Sequence, residues 1–281
     1  MSLAFRILNV FAREARLTGN PLCVFEDGSA LSGEQMQALA RQFNLSETTF
    51  ILPSTRATAQ VRIFTPSYEM PFAGHPTLGT AHVVRSMLEG EASDITLEMK
   101  AGIIPVSSSG RRWTLSANKP RWRDVAESRS ELAAMLGLTE GDLAERPLWV
   151  NAGKEQLMVP VRDAAAVDRA RPRADAFSKL KSEDGQSMAY VFADAGDGAA
   201  RVHSRFFFPS GAAILEDPAT GSACANLGGW YVAMRAGADV KRTVSQGEAV
   251  ARPSTLYLDV AGGDIRVGGD VLEIARGRLE L

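Results

Sequence analysis

The chain has 281 residues, 45% of them hydrophobic, enough to bury the core of one large domain or two smaller ones. Its 31 Lys and Arg against 33 Asp and Glu leave a formal charge of −2, and without a long basic run this argues against nucleic acid as a partner. Cys23 and Cys224 sit far apart in no metal-binding spacing, the N-terminus lacks a secretory signal pattern, and no uncharged apolar run spans a membrane, so a reducing, cytoplasmic location without a membrane partner is expected.

In chain order, Phe5–Phe11 reads as a strand, Gly19-Asn20-Pro21 as a turn and Leu22–Phe25 as a second strand. Ser32 and Gln35 form a capping box ahead of Met36, Leu39, Ala40 and Phe43, whose spacing predicts a helix that stops at Asn44. Ser46–Leu52 is rich in β-branched and aromatic residues and reads as a strand, with Glu47, Thr49 and Ile51 on one face. Gln60–Thr65 is the next strand, followed by a helix from Pro76 to about Leu88. Short strands are expected at 95–97, 102–106 and 113–116, and a crossing between halves at Lys119-Pro120-Arg121. A helix at 130–136 follows, then strands at 148–151 and 156–161. Residues 162–181 read as peripheral helix and loop, residues 189–193 and 202–208 as strands. Three short strands separated by Gly-rich turns are expected at 255–260, 264–267 and 271–275, the last returning to the first half.

One stretch is used twice: RIFTPSYEMPFAGHPTLGTAH from Arg62, and RFFFPSGAAILEDPATGSAC from Arg205. Pro76, Gly79, Thr80 and Ala81 match Pro218, Gly221, Ser222 and Ala223 at the same internal spacing. Each copy reads as a strand ending in Phe-x-Pro, an irregular loop, a proline turn and a helix of small residues. A repeat on this scale indicates duplication rather than a solenoid, whose period is roughly 20–50 residues. The second helix, Ser222–Met234, carries no charge on any face and must be buried. The fold expected is therefore α+β, with two pseudo-symmetric halves, each a curved mixed β-sheet wrapped round a central helix. The halves are 1–117, with 268–281 returning to it, and 118–267.

Both proline turns read as helix starts with Pro near the first position, where free backbone N–H groups and the helix dipole suit a carboxylate. Ordinary capping is the plainer alternative. Glu47 reads either as a solvent-facing or edge-strand residue, or as a general acid/base whose pKa partial burial raises. Asp217 reads as an N-cap or a site group, and His75 as a satisfied loop histidine or a site group. Glu69 and Glu216 read as loop carboxylates. His75, His82 and His203 are too few and too scattered for a metal. Cys23 and Cys224 read as small core residues.

The segments GNPLCVF, LSETTFI, RIFTPSYEMPFAGHPTLGTA, EDPATGSA and QGEAVARPS occur in this order and resemble the signature blocks of the phenazine-biosynthesis PhzF-like proteins. The resemblance implies a diaminopimelate-epimerase-like fold with its site in the cleft between two halves, no cofactor or metal, and a homodimer. It implies isomerisation of a dihydro-hydroxyanthranilate, in which a glutamate moves a proton along a conjugated ring. By residue, it makes Glu47, His75 and Asp217 catalytic. Gly74, Thr77, Gly221 and Ser222, at the helix starts, would bind the substrate's carboxylate. The related racemases place two thiols at the helix starts, where this chain has none. The expected activity is cofactor-independent proton transfer on a small carboxylate. The alternatives are a racemase or epimerase of an amino-acid-like substrate, or a non-catalytic carboxylate-binding protein.

Overall fold

The structure, a computed structural model, describes residues 1–88, 94–195, 200–236 and 238–281. The first elements are β1 (Ser2–Val10), β2 (Asn20–Phe25), α1 (Gly33–Phe43), β3 (Glu47–Leu52), β4 (Ala59–Phe64), β5 (Glu69–Met70), α2 (Gly74–Met87), β6 (Asp94–Met99), β7 (Gly102–Ser109) and β8 (Arg112–Ser116). There follow β9 (Arg121–Asp124), α3 (Arg129–Met135), β10 (Leu148–Asn151), β11 (Glu155–Pro160), α4 (Ala164–Arg169), α5 (Ala174–Phe177), β12 (Ala189–Asp194), β13 (Arg201–Ser210), β14 (Ala213–Asp217), α6 (Gly221–Met234), β15 (Val240–Gln246), β16 (Ser254–Ala261) and β17 (Asp264–Glu280). The chain divides into two units, Met1–Ser116 with Gly268–Leu281, and Ala117–Val267. No helix among the described residues is long and apolar enough to cross a membrane.

The first unit is a closed β-barrel threaded by a helix. Its strands pair round the ring in the order β1, β2, β3, β4, β6, β7, β8, β17 and back to β1. The β2–β3 and β4–β6 pairs are parallel. α2 packs against β1, β2, β3, β4, β6, β7 and β8. Small residues permit this: a Cβ added at Gly79 would lie 2.5 Å from Leu22 Cδ2 and 2.9 Å from Val10 Cγ2. Outside the ring, α1 covers β3 and β4. Its Met36, Leu39 and Ala40 meet Phe25, Phe50 and Phe64, and Phe25 stacks on Phe50 with centroids 4.9 Å apart. The Ser32–Gln35 capping box and left-handed Asn44 set its ends as expected.

The second unit repeats the plan. β12 and β13 stand to Arg205 as β3 and β4 stand to Arg62, since Val191 pairs with Arg205 and Phe50 with Arg62. α6 packs against β9, β10, β11, β15 and β16. Residues 162–181 are not peripheral: Ala166, Val167, Ala170, Phe177 and Leu180 are fully buried against Trp149, Val191 and Phe207. α4 therefore covers β12 and β13 as α1 covers β3 and β4.

Three further expectations change. The irregular loop of each copy is a hairpin, β4–β5 in the first and β13–β14 in the second. Each is pinned by an ion pair. Arg62 donates to both Glu69 oxygens at 2.8 Å, and Arg205 donates through two nitrogens to Glu216 at 3.0 and 2.6 Å. Val240–Gln246, not foreseen as a strand, pairs with β13 and β16. The two short strands expected after residue 263 are one strand, β17, running through Gly268 and Gly269. Those glycines do not turn the chain. An added Cβ would lie 2.6 Å from Thr114 Oγ1 at Gly268, and 2.3 Å from Phe11 Cδ1 at Gly269. From Val271 on, β17 pairs with β1.

Candidate active site

Glu47, Gly74, His75 and Thr77 belong to the first unit, and Asp217, Gly221 and Ser222 to the second. Each set has its own surroundings.

Glu47 opens β3, which has β2 and β4 on its two sides and is no edge strand. Thr49, on the same face, shares a 2.8 Å hydrogen bond with Thr80 of α2. That face therefore looks into the barrel. Leu22 of β2 is paired with Glu47, which sets Pro21 and Asn20 alongside. His75, the second residue of α2, hydrogen-bonds to the backbone of Pro21. Proline has no N–H, so the ring donates to the Pro21 carbonyl. The atom Nε2 points instead to Glu47, 3.2 Å from Oε2. The donor is thus Nδ1. Burial pushes the imidazole pKa down to about 3, against a smaller upward pull from Pro21. The ring is neutral at ordinary pH and turns a lone pair on Nε2 toward the Glu47 carboxyl.

α2 starts at Gly74, earlier than the proline pattern indicates, and Pro76 is its third residue. Proline costs no hydrogen bond there, because the first-turn N–H groups have no partner within the helix. The start has neither a side-chain cap bond nor an acidic residue in its first turn. By contrast α1 and α3 carry full capping boxes. The Thr77 hydroxyl donates back to the Ala73 carbonyl at 2.7 Å and so tightens the turn.

In the second unit α6 starts at Gly221, with Thr220 as N-cap residue, and again has no side-chain cap bond and no first-turn acid. Asp217 is not the N-cap; it ends β14, and its Oδ2 accepts from the Thr220 hydroxyl at 2.5 Å. Gln246, fully buried, donates to the Asp217 carbonyl at 2.8 Å and to Thr220 Oγ1 at 3.0 Å. Gly247 next to it has φ 84, and an added Cβ would lie 2.5 Å from the Pro218 oxygen. The Gln246-Gly247 turn therefore clamps the segment that presents Asp217. Ser222 Oγ accepts from Gln156 Nε2 at 2.9 Å.

Sequence reasoning missed Gln156, Asn226 and Gln246, and also Asn20, which is fully buried beside Pro21 with Ser46 donating to it at 3.3 Å. Gln246 and Asn20 lie inside quoted motifs, so position was a signal. Gln156 had none. Cys23 and Cys224 are buried, and burial pushes both thiols well above their ordinary pKa. Among the described residues, no group of three or more His, Cys, Asp or Glu is placed to hold a metal.

The helix-threaded barrel is an α+β fold of the epimerase-like kind. A probable proline racemase from Agrobacterium radiobacter shares this fold at 12% identity, with a TM-score of 0.62 over 99% of this chain and 93% of that one. Residues 8–272 match the phenazine biosynthesis-like protein family, and the chain belongs to it. The trans-2,3-dihydro-3-hydroxyanthranilate isomerase of Pseudomonas aeruginosa is 34% identical over 98% of both chains. An uncharacterised isomerase of Pasteurella multocida is 34% identical over 98% of this chain and 93% of its own. The PhzF-family crystal structure from Bacillus anthracis superposes over the full length of both chains with a TM-score of 0.88 at 26% identity. The protein is an enzyme of the isomerase class.

Proposed function

We propose that the protein moves a proton between carbon atoms of a small carboxylate by acid/base catalysis at Glu47, without cofactor or metal. The observation that carries this is the Glu47–His75 pair. With Nδ1–H committed to Pro21, Nε2 can only accept. Two facing lone pairs at 3.2 Å repel, so one proton between carboxyl and ring satisfies both. A carboxyl holding one mobile proton can give it to one carbon of the substrate and, as the carboxylate so formed, take a proton from another, which restores the starting state. Asp217, held by Thr220 and Gln246, is assigned an orienting role, as is His75 in its own unit. The uncapped helix starts at Gly74–Thr77 and at Gly221–Ser222 are each suited to a carboxylate, and Ser222 is assigned that role. Because the Pseudomonas aeruginosa relative is named for trans-2,3-dihydro-3-hydroxyanthranilate, we assign this chain a substrate of that kind, a cyclic or amino-acid-like carboxylate with an acidic C–H. Racemisation by two thiols is disfavoured, because burial keeps both cysteines protonated. Composition and family resemblance support a cytoplasmic homodimer.

The test is isotope exchange in deuterated water, with calorimetric binding of 3-hydroxyanthranilate, the aromatic counterpart that has no transferable ring C–H. Glu47→Gln keeps shape and removes the titrating proton. It should lose about 10²–10⁴-fold in exchange and turnover while still binding the analogue. Asp217→Asn should weaken both binding and rate. Near-wild-type exchange in Glu47→Gln would remove Glu47 from the mechanism.

A further inference from the structure

Behind Ser222 runs a chain of buried amides whose direction is set by backbone groups. Asn226 on α6 is fully buried, and Gln156 on β11 is 2% exposed. Amide oxygen and nitrogen are ordinarily assigned from their neighbours, and here the neighbours leave one choice. The backbone N–H of Ala152, which can only donate, lies 2.7 Å from one end of the Asn226 amide. The backbone carbonyl of Lys154, which can only accept, lies 2.8 Å from the other. The first end is therefore Oδ1 and the second Nδ2. Asn226 Nδ2 also donates to Gln156 Oε1 at 2.8 Å, which orients the glutamine in turn. Gln156 Nε2 then donates to Ser222 Oγ at 2.9 Å. A hydroxyl has one proton, and one that accepts here must send that proton elsewhere.

We propose that Asn226 and Gln156 are positioning residues that fix Ser222 as a hydrogen-bond donor toward an anionic oxygen of the substrate. This rests on the reading that Ser222 holds the carboxylate. An amide chain suits the task because it carries polarity without charge. A charged donor behind Ser222 would need its own buried partner. It also accounts for two wholly polar side chains at the heart of an otherwise apolar helix contact, at positions with no catalytic residue type.

Calorimetric titration with 3-hydroxyanthranilate tests this on four variants, each checked for folding by its thermal melt. Gln156→Glu keeps the oxygen that accepts from Asn226 and replaces the donor with a titrating carboxyl oxygen. Protonated, the introduced carboxyl donates to Ser222 as the amide does; ionised, it takes the Ser222 proton instead. Affinity relative to wild type at the same pH should be near unity at pH 5 and about tenfold or more weaker by pH 9. Gln156→Met should weaken binding about tenfold in the wild-type background and add nothing further in Ser222→Ala. If Gln156→Met does not fold, the pH profile of Gln156→Glu decides alone. A flat relative affinity, or losses that add in the double variant, would show that Gln156 only shapes the core and would overturn the proposal. Wild-type affinity in Ser222→Ala would overturn it too, since nothing would be left to position. That result leaves the role of Glu47 standing, because exchange in Glu47→Gln reads that role independently of Ser222.

Discussion

At His75 burial and hydrogen bonding pull in opposite directions, and burial wins. A ring 6% exposed loses more from charging than its bond to Pro21 returns. Between pH 6.5 and about 3 the unfolded chain therefore binds a proton at this residue that the folded chain does not. Stability from His75 is thus complete above pH 6.5 and is lost as pH falls toward 3. The expected loss between pH 7.5 and 5 is about 2 kcal/mol. Denaturant midpoints across that range should show it. His75→Asn, which keeps a donor for Pro21, should flatten the profile by that amount. His82, whose pKa burial also lowers, contributes the same sign to both proteins and cancels in the comparison. Nitrogen NMR of the ring should report a neutral Nδ1–H tautomer from pH 8 to 5, and an imidazolium at pH 6 would contradict this account.

The two hairpins are the same element in different solvent. Arg62 and Glu69 have side chains 28% and 15% exposed, and Lys100 adds a second cation at 2.7 Å. Arg62 beside Glu69 holds the carboxyl below its usual range. Arg205 and Glu216 are each 7% exposed, and Arg205 also donates to the Ala170 carbonyl at 2.8 Å, so it closes the end of α4. Removing one partner of a buried pair strands the other charge, whereas water re-solvates an exposed one. Glu216→Ala should therefore cost about 3–5 kcal/mol in urea unfolding, and Glu69→Ala about 1 kcal/mol. Equal losses would show that the surroundings of the two pins do not differ as the structure indicates. The central helices obey a different constraint. Gly79 in α2 and Gly228 in α6 let neighbouring side chains touch the helix backbone; a Cβ at Gly228 would lie 2.7 Å from Ile265 Cγ2.

Across the whole molecule, fold and chemistry separate. A racemase with 12% identity shares the architecture, so architecture alone does not fix what is done with it. The side chains at the two helix starts of this chain are not thiols. Iodoacetamide should leave exchange activity of the native protein unchanged, and both thiols should react once it is unfolded, because Cys23 and Cys224 are fully buried. Cys23→Ala and Cys224→Ala should keep turnover. A 10³-fold loss in a folded variant, roughly 4 kcal/mol of barrier, would return the thiol mechanism to consideration.

Local pattern by itself determined the capped helix α1, the two central helices of small residues, the strand carrying Glu47 and the duplicated stretch that names the family. Each is written in spacing, capping chemistry or repetition along a short run of chain. Residues 213–217 and 240–246 were not legible as strands, because their pairing with β13 supplies the signal that their composition lacks. Gly268 and Gly269 look like a turn in sequence and are close contacts in space. Only the tertiary structure brought His75 to Glu47 through Pro21, and Asn226 and Gln156 to Ser222. Those groups come from separate strands and helices. Their effect depends on distances of about 3 Å and on exclusion of water, which arise only when the sheets close round their helices.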